Sequence, residues 1–224
     1  MAETKESRLS GYYSELKKFI EANNYAKIIK ASNKIISERP DEGKAWQCKV
    51  VAHIQQSQFD DALTVITKSK LTDQLAFEKA YCLYRKNNIH GAWETISTLS
   101  DPLPQARELK AQILYRLERY DECYDMYRDI LRNTSDDFDL ERQTNMAAVC
   151  VNRATEKQSK DDDVQIDDSS YELLYNGACH LIAVGRTEEA LKQLQEAEKT
   201  CRQYLTEEEG ASEEEVTDEV AIIR

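Results

Sequence analysis

The sequence has few of the residues that interrupt helices, with 6 glycines and 3 prolines among 224 residues. Sandwiches and barrels need many tight turns, and α/β folds need loops, so this scarcity argues against both. Strong helix formers such as Leu, Ala, Glu, Lys, Gln and Arg are plentiful instead. The composition therefore predicts an all-α protein.

Long apolar runs and paired cysteines are also missing. The first residues, MAETKESRLSGYYSELKK, contain no apolar stretch of the kind that a secretory signal needs. No segment approaches the length of a membrane-spanning helix. The cysteines have no CxxC pair and no metal-ligand spacing, so we interpret them as reduced, buried small residues of a cytosolic or nuclear protein. They are Cys48, Cys82, Cys123, Cys150, Cys179 and Cys201.

Motifs for catalysis are missing as well. The three histidines, His53, His90 and His180, stand far apart and have no HExxH-like spacing. There is no GxGxxG sequence, no phosphate loop and no strand–turn–helix context that would present a nucleophile. We therefore predict that the chain is not an enzyme and has no catalytic residues, cofactor, metal site or small-molecule ligand.

Negative charge is concentrated in two runs. The net charge is −12, yet 161–168 holds five acids and 207–219 holds eight, and neither run contains a basic residue. Without these runs, 29 acids face 30 lysines and arginines. Acidic runs repel themselves and usually stay solvated, so we interpret both as linkers that would repel nucleic acid.

A repeat of about 34 residues is the strongest positive signal. Five segments begin with two polar residues, followed by a third residue that opens an amphipathic stretch: NNYAKIIKASNKI, SQFDDALTVITKS, NNIHGAWETISTL, ERYDECYDMYRDI and GRTEEALKQLQEA. The third residues are Tyr25, Phe59, Ile89, Tyr120 and Thr187. This spacing predicts pairs of helices joined by short turns.

Small residues recur where the two helices of each pair should cross. In the second helices this position holds Ala62, Ala92, Cys123 and Ala190, with Ile28 as the exception. In the first helices it holds Val50, Ala80, Ala111, Ala147 and Ala178. A bulky side chain would hold the helices apart, so Cys123 is interpreted as a packing residue.

The expected fold is a tetratricopeptide-like helix–turn–helix solenoid of about six helix pairs, with the fifth degenerate. The pairs are placed at 9–40, 43–72, 73–104, 105–136, 139–160 and 171–205, with Pro40 and Pro104 just beyond second helices. We expect a flexible N-terminus at 1–8, a repeat domain at 9–205 and a loop at about 158–170. An acidic linker at 206–219 and the start of a truncated further helix at 220–224 complete the prediction.

The first helices of such arrays line a concave face that commonly holds a peptide. Tyrosine and arginine often carry binding energy, and both recur in this phase. The residues that the repeat phase places there are Gln47, Val51, Ile54, Gln55, Phe77, Tyr81, Tyr84, Arg85, Glu108, Gln112, Tyr115, Arg116, Thr144, Ala148, Asn152, Tyr175, Cys179 and Ile182.

Two other functions fit the same residues. The segments LYRKNN and LYRLERY place aromatic residues beside arginines, and such pairs can stack on the bases of RNA. These residues also fall at repeat positions in a nearly neutral body, which favours a protein partner over direct RNA binding. A generic tetratricopeptide adaptor for another protein is the second alternative.

Five segments resemble the N-terminal part of the family of the 72-kDa protein of the signal recognition particle. They are FEKAYCLYR (77–85), ILYRLERYDECYDMYRDILRN (113–133), DDFDLERQTN (136–145), ELLYNGACHLI (172–182) and DEVAII (218–223). The likeness runs from about residue 12 to residue 224. It implies a groove that includes Phe77, Tyr81, Tyr84, Arg85, Tyr115, Arg116, Asn145, Tyr175, Asn176 and Cys179.

The resemblance also implies a partner and a location. The expected partner is the C-terminal region of the 68-kDa protein of the same particle, and the expected role supports co-translational targeting to the endoplasmic reticulum. The family contacts the particle RNA through a lysine-rich C-terminal segment that nothing in this sequence matches. A cytoplasmic particle without a membrane contact is implied, with nuclear or nucleolar passage during assembly.

Overall fold

The computed structural model describes residues 5–99, 104–157 and 166–223, and within these residues it contains twelve helices and no strand. The helices are α1 (Lys5–Glu21), α2 (Tyr25–Glu38), α3 (Gly43–Gln55), α4 (Phe59–Ser69), α5 (Ala76–Arg85), α6 (Ile89–Ile96), α7 (Pro104–Arg116), α8 (Tyr120–Asn133), α9 (Asp139–Lys157), α10 (Tyr171–Ala183), α11 (Thr187–Glu207) and α12 (Glu213–Val220). The all-α prediction is confirmed.

The chain divides into two compact units, which we call unit 1 (residues 1–113) and unit 2 (residues 114–224). The division falls inside α7. In unit 1, α1 packs on α2, α2 on α3, α3 on α4, α4 on α5 and α5 on α6. In unit 2, α8 packs on α9, α9 on α10, α10 on α11 and α11 on α12.

The polar pairs of the repeat form one recurring turn. The first residue of each pair has a left-handed backbone: φ is 48° at Asn23, 57° at Ser57, 62° at Asn87, 58° at Glu118 and 83° at Gly185. The second residue is the N-cap of the next helix, and its N–H donates to the carbonyl oxygen five residues earlier. This bond and the left-handed residue define a Schellman ending, which stops one helix and starts the next within two or three residues.

The predicted crossing residues are buried in both units. Ala62, Ala92 and Cys123 are 0% exposed, and even the bulkier Ile28 is only 5% exposed. Their first-helix counterparts range from 0% exposed at Val50, Ala80, Ala111 and Ala178 to 3% at Ala147. The repeat phase read from the sequence is therefore confirmed.

The C-terminal acidic segment differs from the expected linker. Helix α11 continues to Glu207, and α12 spans Glu213–Val220, so a helix occupies much of 206–219 and ends where the further helix was expected to begin. Ser212 and Glu215 form a capping box, and Glu213 and Glu214 lie in the positively polarised first turn. Val216, Val220 and Ile223 are buried in a cluster with residues of α10 and α11, which stabilises this helix despite its charge.

Two other boundaries also differ from the prediction. Helix α1 begins at Lys5, so Lys5–Arg8 is helical rather than flexible, and residues 1–4 lie outside the described residues. Pro104 is the first residue of α7 rather than a closing residue of the third pair, a position that suits its missing N–H. After α9, residues 166–168 have no regular structure, in agreement with the expected loop at about 158–170, and residues 158–165 lie outside the described residues.

Candidate peptide-binding face

The predicted groove residues are divided between the two units. We call Phe77, Tyr81, Tyr84, Arg85 and Gln112 the unit 1 face. We call Tyr115, Arg116, Asn145, Tyr175, Asn176 and Cys179 the unit 2 face. All eleven side chains are half-buried or exposed, so none is a core residue.

Arg85 is the centre of the best-defined cluster of the unit 1 face. Its Nη1 donates a hydrogen bond of 2.7 Å to the Tyr81 hydroxyl, one turn earlier on α5. The guanidinium carbon lies 4.9 Å from the centre of the Phe59 ring and 5.7 Å from that of Tyr81. The two rings meet edge to face, with centroids 6.4 Å apart. Arg85 is thus an exposed cation that its neighbours hold in one position.

Phe77, Tyr84 and Gln112 are half-buried on α5 and α7. Phe77 and Tyr81 are four residues apart on α5, and Tyr81 and Tyr84 are three apart, so they share one side of the helix. The structure therefore places three aromatic rings along one stripe of α5, as the repeat phase predicts.

A buried carboxylate lies behind this stripe, and sequence reasoning missed it. Glu78 is 5% exposed, and its Oε1 accepts a hydrogen bond of 2.7 Å from Nε2 of Gln47 on α3. Gln47 was predicted as a groove residue, but this bond already uses one of its amide hydrogens. A glutamate next to Phe77 looks like an ordinary surface residue, so the sequence gives no local signal for its burial.

Hydrogen bonds between first helices organise the unit 2 face. Tyr115 lies at the end of α7, and its hydroxyl accepts a hydrogen bond of 3.1 Å from Nδ2 of Asn152 on α9. Its ring also meets that of Tyr120 edge to face, with centroids 5.7 Å apart. Asn176 of α10 donates from Nδ2 to the carbonyl oxygen of Thr144 on α9, at 3.3 Å. These bonds link α7 to α9 and α9 to α10.

Tyr175, Cys179 and Ile182 form a second stripe, on α10. They are spaced four and three residues apart, so they share one side of the helix. An electrostatic interaction and a hydrogen bond with the neighbouring Cys179 raise the pKa of Tyr175. Ile182 is 51% exposed and gives the stripe an apolar end. Asn145 is half-buried on α9, and Arg116 is exposed at the end of α7.

The structure also tests the interpretation of the cysteines as packing residues. The six cysteines, all within the described residues, form no disulfide; Cys82, Cys123, Cys150 and Cys201 are buried as predicted, whereas Cys48 and Cys179 are only half-buried. Burial raises the pKa of Cys82 to about 11 and that of Cys123 to about 12. Since the thiolate is the reactive form, these two thiols are inert near neutral pH. The packing role of Cys123 is confirmed.

Arg142 anchors the start of α9 and was not singled out from the sequence. Its side chain is 7% exposed and binds Asp136 through two bonds of 2.8 and 3.0 Å. A further bond of 2.9 Å joins it to Asp139. These bonds and the Phe138 N–H lower the pKa of Asp136. The i, i+3, i+6 spacing of the three charges was the available signal.

The described residues lack two further features. Within 5–99, 104–157 and 166–223, no helix has both the length and the hydropathy needed to cross a membrane. No group of three or more His, Cys, Asp or Glu side chains in the same residues is placed to hold a metal ion.

Repeated helix pairs, Schellman turns and small crossing residues together define a tetratricopeptide-like helical repeat protein. A family model described as "Putative TPR-like repeat" and labelled SRP_TPR_like matches residues 16–151, which is more than half of the chain. The chain belongs to this family, and the predicted tetratricopeptide-like fold class is confirmed.

Curated relatives agree with this assignment. The signal recognition particle subunit SRP72 of Canis lupus familiaris and that of Homo sapiens are each 41% identical over 214 residues, or 94% of this chain. The SRP72 subunit of Schistosoma mansoni is 37% identical over 230 residues and covers 100% of this chain. Each match covers 32% of the relative, so the chain spans about a third of their length. The resemblance to the 72-kDa protein is confirmed.

Proposed function

We propose that this chain is a protein-binding scaffold of the signal recognition particle. It holds a peptide segment of the 68-kDa subunit on the unit 1 face and the unit 2 face. The names of the curated relatives support the particle, and the tetratricopeptide-like family supports the scaffold. The observation that carries the proposal is the Arg85 cluster, because an exposed guanidinium held over two aromatic rings is a ready-made contact for a partner.

The chemistry of the two faces indicates what kind of segment they bind. Arg85 is suited to a carboxylate or a backbone carbonyl, and the aromatic stripe of α5 is suited to apolar side chains. On the unit 2 face, the α10 stripe runs from a tyrosine hydroxyl to an exposed isoleucine. Contacts within each face hold Tyr81, Arg85, Tyr115 and Asn176 before any partner arrives, and this reduces the entropy lost on binding.

The proposal assigns the chain a structural role rather than a catalytic one. As part of the particle, it would support co-translational targeting of proteins to the endoplasmic reticulum. The particle would be cytoplasmic, with nuclear or nucleolar passage during assembly. Contact with the particle RNA would come from parts of the protein other than this stretch.

Direct RNA binding by this chain is the alternative, but the packing disfavours it. RNA stacking would require the arginines and tyrosines to offer free planes to bases. Arg85 instead lies on Phe59 and Tyr81, and Arg153 lies 4.2 Å from the ring centre of Tyr124 while its Nε bonds Asp121 at 2.8 Å. These cation–π pairs are used within the fold.

A pull-down from cytosol tests the proposal, with this chain as bait and the captured proteins identified by mass spectrometry. The expected result is capture of the 68-kDa subunit both with and without nuclease treatment. Loss of that subunit after nuclease treatment would favour the RNA alternative. Capture of an unrelated protein in place of the 68-kDa subunit would favour the generic adaptor.

A further inference from the structure

At the fifth repeat position, the described residues contain no second helix between the end of α9 at Lys157 and the start of α10 at Tyr171. In each of the five complete pairs, a helix follows the first helix after a Schellman turn. Ala147 of α9 holds the same repeat position as Val50, Ala80 and Ala178, which are completely buried in their pairs. Next to Ala147 the structure instead has an open pocket of about 210 Å³.

The walls of this pocket are mostly apolar. Met146, Ala147 and Cys150 of α9 form one side, and Leu173 of α10 and the unstructured Ile166 form the rest. Gln143 and Asp167 add polar groups at its edge. The pocket has room for large aliphatic side chains but is too small for a whole helix.

The apolar surface continues from the pocket toward the start of α9. Leu140 lies one turn before Gln143 and two turns before Ala147, and it is 47% exposed. We call Leu140, Gln143, Met146, Ala147 and Cys150 the α9 stripe. Ten residues of helix rise about 15 Å, so a partner helix of about three turns would cover the stripe. Asn145 and Asn152 lie on the opposite side of α9, so this surface is separate from the unit 2 face.

The negative charges beside the α9 stripe favour a positively charged partner. Residues 136–143 carry four carboxylates, and their one basic residue, Arg142, is bound to Asp136 and Asp139. Asp167 and Asp168 are exposed on the other side of the pocket. A segment with lysines or arginines beside its apolar residues would be attracted, and an acidic segment or a nucleic acid would be repelled.

We propose that the α9 stripe is a docking site for a basic amphipathic helix of a protein partner, which packs on α9 as the second helix packs on the first in the other pairs. Its apolar residues fill the pocket between α9 and α10. Its basic residues lie against the carboxylates of 136–141 and 167–168. The site does not depend on the first-helix faces, so it can bind while they are occupied.

The test is fluorescence anisotropy with the 224-residue chain and two stapled helical peptides of about four turns. Both peptides have the same leucine face; one carries lysines elsewhere and the other glutamates. The lysine peptide should bind and the glutamate peptide should not. Leu140→Ser should weaken binding about fivefold or more, whereas the matched control Leu191→Ser, at a leucine 58% exposed on α11, should leave it unchanged.

An added positive charge on the α9 stripe provides the second part of the test. Gln143→Lys should weaken the lysine peptide and allow the glutamate peptide to bind, whereas Gln195→Lys on the exposed side of α11 should do neither. A photoreactive leucine in the lysine peptide should cross-link to residues 140–150 or 166–173.

Three results would overturn the proposal. The first is failure of the lysine peptide to bind, and the second is equal binding of the two peptides. The third is a dimer of the chain in sedimentation that Leu140→Ser removes, because the occupant would then be a second copy. Circular dichroism of each variant ensures that a lost signal reflects the site and not unfolding.

Discussion

The unit 1 face and the unit 2 face fix their side chains by different chemistry. On the unit 1 face, a guanidinium lies over two aromatic rings and bonds one of them. On the unit 2 face, two asparagine amides donate hydrogen bonds between neighbouring helices, one to a tyrosine hydroxyl and one to a backbone carbonyl. Unit 1 therefore offers fixed positive charge, and unit 2, apart from Arg116, offers neutral contacts. A bound segment should place its acidic residues at unit 1 and its apolar residues along α10.

The two units also differ in the polar groups buried behind these faces. Unit 1 holds the hydrogen bond from Gln47 to Glu78, which links α3 to α5. Unit 2 holds Arg142 with two aspartates, which fixes the start of α9. Arg142 and the Phe138 N–H lower the pKa of Asp136. The stability that Asp136 contributes to unit 2 should thus be lost at acid pH.

Overpacking a helix crossing should give the largest effect. Cys123→Trp inserts a large ring at a position that is 0% exposed, and it should lower the free energy of unfolding by about 3 kcal/mol. Urea unfolding measures the change. Cys123→Ala, which keeps the crossing small, should cost less than about 1.5 kcal/mol. If the alanine variant is folded and has lost partner binding, the thiol has a chemical role and the packing interpretation is wrong.

Removal of Arg142, which anchors the start of α9 in unit 2, should cause the next largest loss of stability. Arg142→Ala loses three hydrogen bonds to carboxylates and should lower the free energy of unfolding by about 1.5–3 kcal/mol at neutral pH. Asp136 has a lowered pKa when folded, so its contribution is present above its ordinary value of 3.8 and is lost as the pH falls below it. The difference between variant and wild type should shrink there. An equal loss from Arg132→Ala, an exposed arginine of α8, would show that the buried position is unimportant.

Loss of the hydrogen bond between Gln47 and Glu78 in unit 1 should give the smallest of the three losses of stability. Gln47→Ala leaves the buried Glu78 without its amide donor and should cost about 1–2 kcal/mol. Thermal unfolding can measure it, with Gln55→Ala, an exposed glutamine of the same helix, as the control. Equal effects of the two variants would show that the Gln47 bond adds nothing to the stability of unit 1.

The helix pairs could be predicted because their signals are local. Two of the polar pairs, Asn23–Asn24 and Asn87–Asn88, each supply an asparagine that tolerates positive φ and an asparagine N-cap. Each small residue marks a crossing, and Cys123 fits the pattern as well as any alanine. Turn chemistry and periodicity act within a few residues, so the sequence carries them directly.

The features that the sequence prediction missed depend on contacts between residues far apart in the chain. The acidic run 207–219 looks like a linker by composition, but Val216 and Val220 are buried in the cluster that α12 shares with α10 and α11. The burial of Glu78 and the bond from Asn152 to Tyr115 each depend on a helix about 30 or more residues away in sequence. Tyr81, Tyr84 and Arg85 were predictable as face residues, whereas the contacts that fix them required the fold. The alignment of Tyr84 with Tyr115, and of Arg85 with Arg116, stays a prediction.

Titration calorimetry with the C-terminal region of the 68-kDa subunit tests the central claim most directly. The double variant Arg85→Ala, Arg116→Ala removes the exposed guanidinium at the end of α5 and that at the end of α7. We expect at least a thirtyfold loss of affinity, about 2 kcal/mol, with unchanged helicity by circular dichroism. The control Arg132→Ala, Lys192→Ala removes the same charge from α8 and α11 and should bind like wild type. Wild-type affinity in the Arg85, Arg116 variant, together with a large loss in the control, would contradict the assignment of the first-helix faces as the binding site.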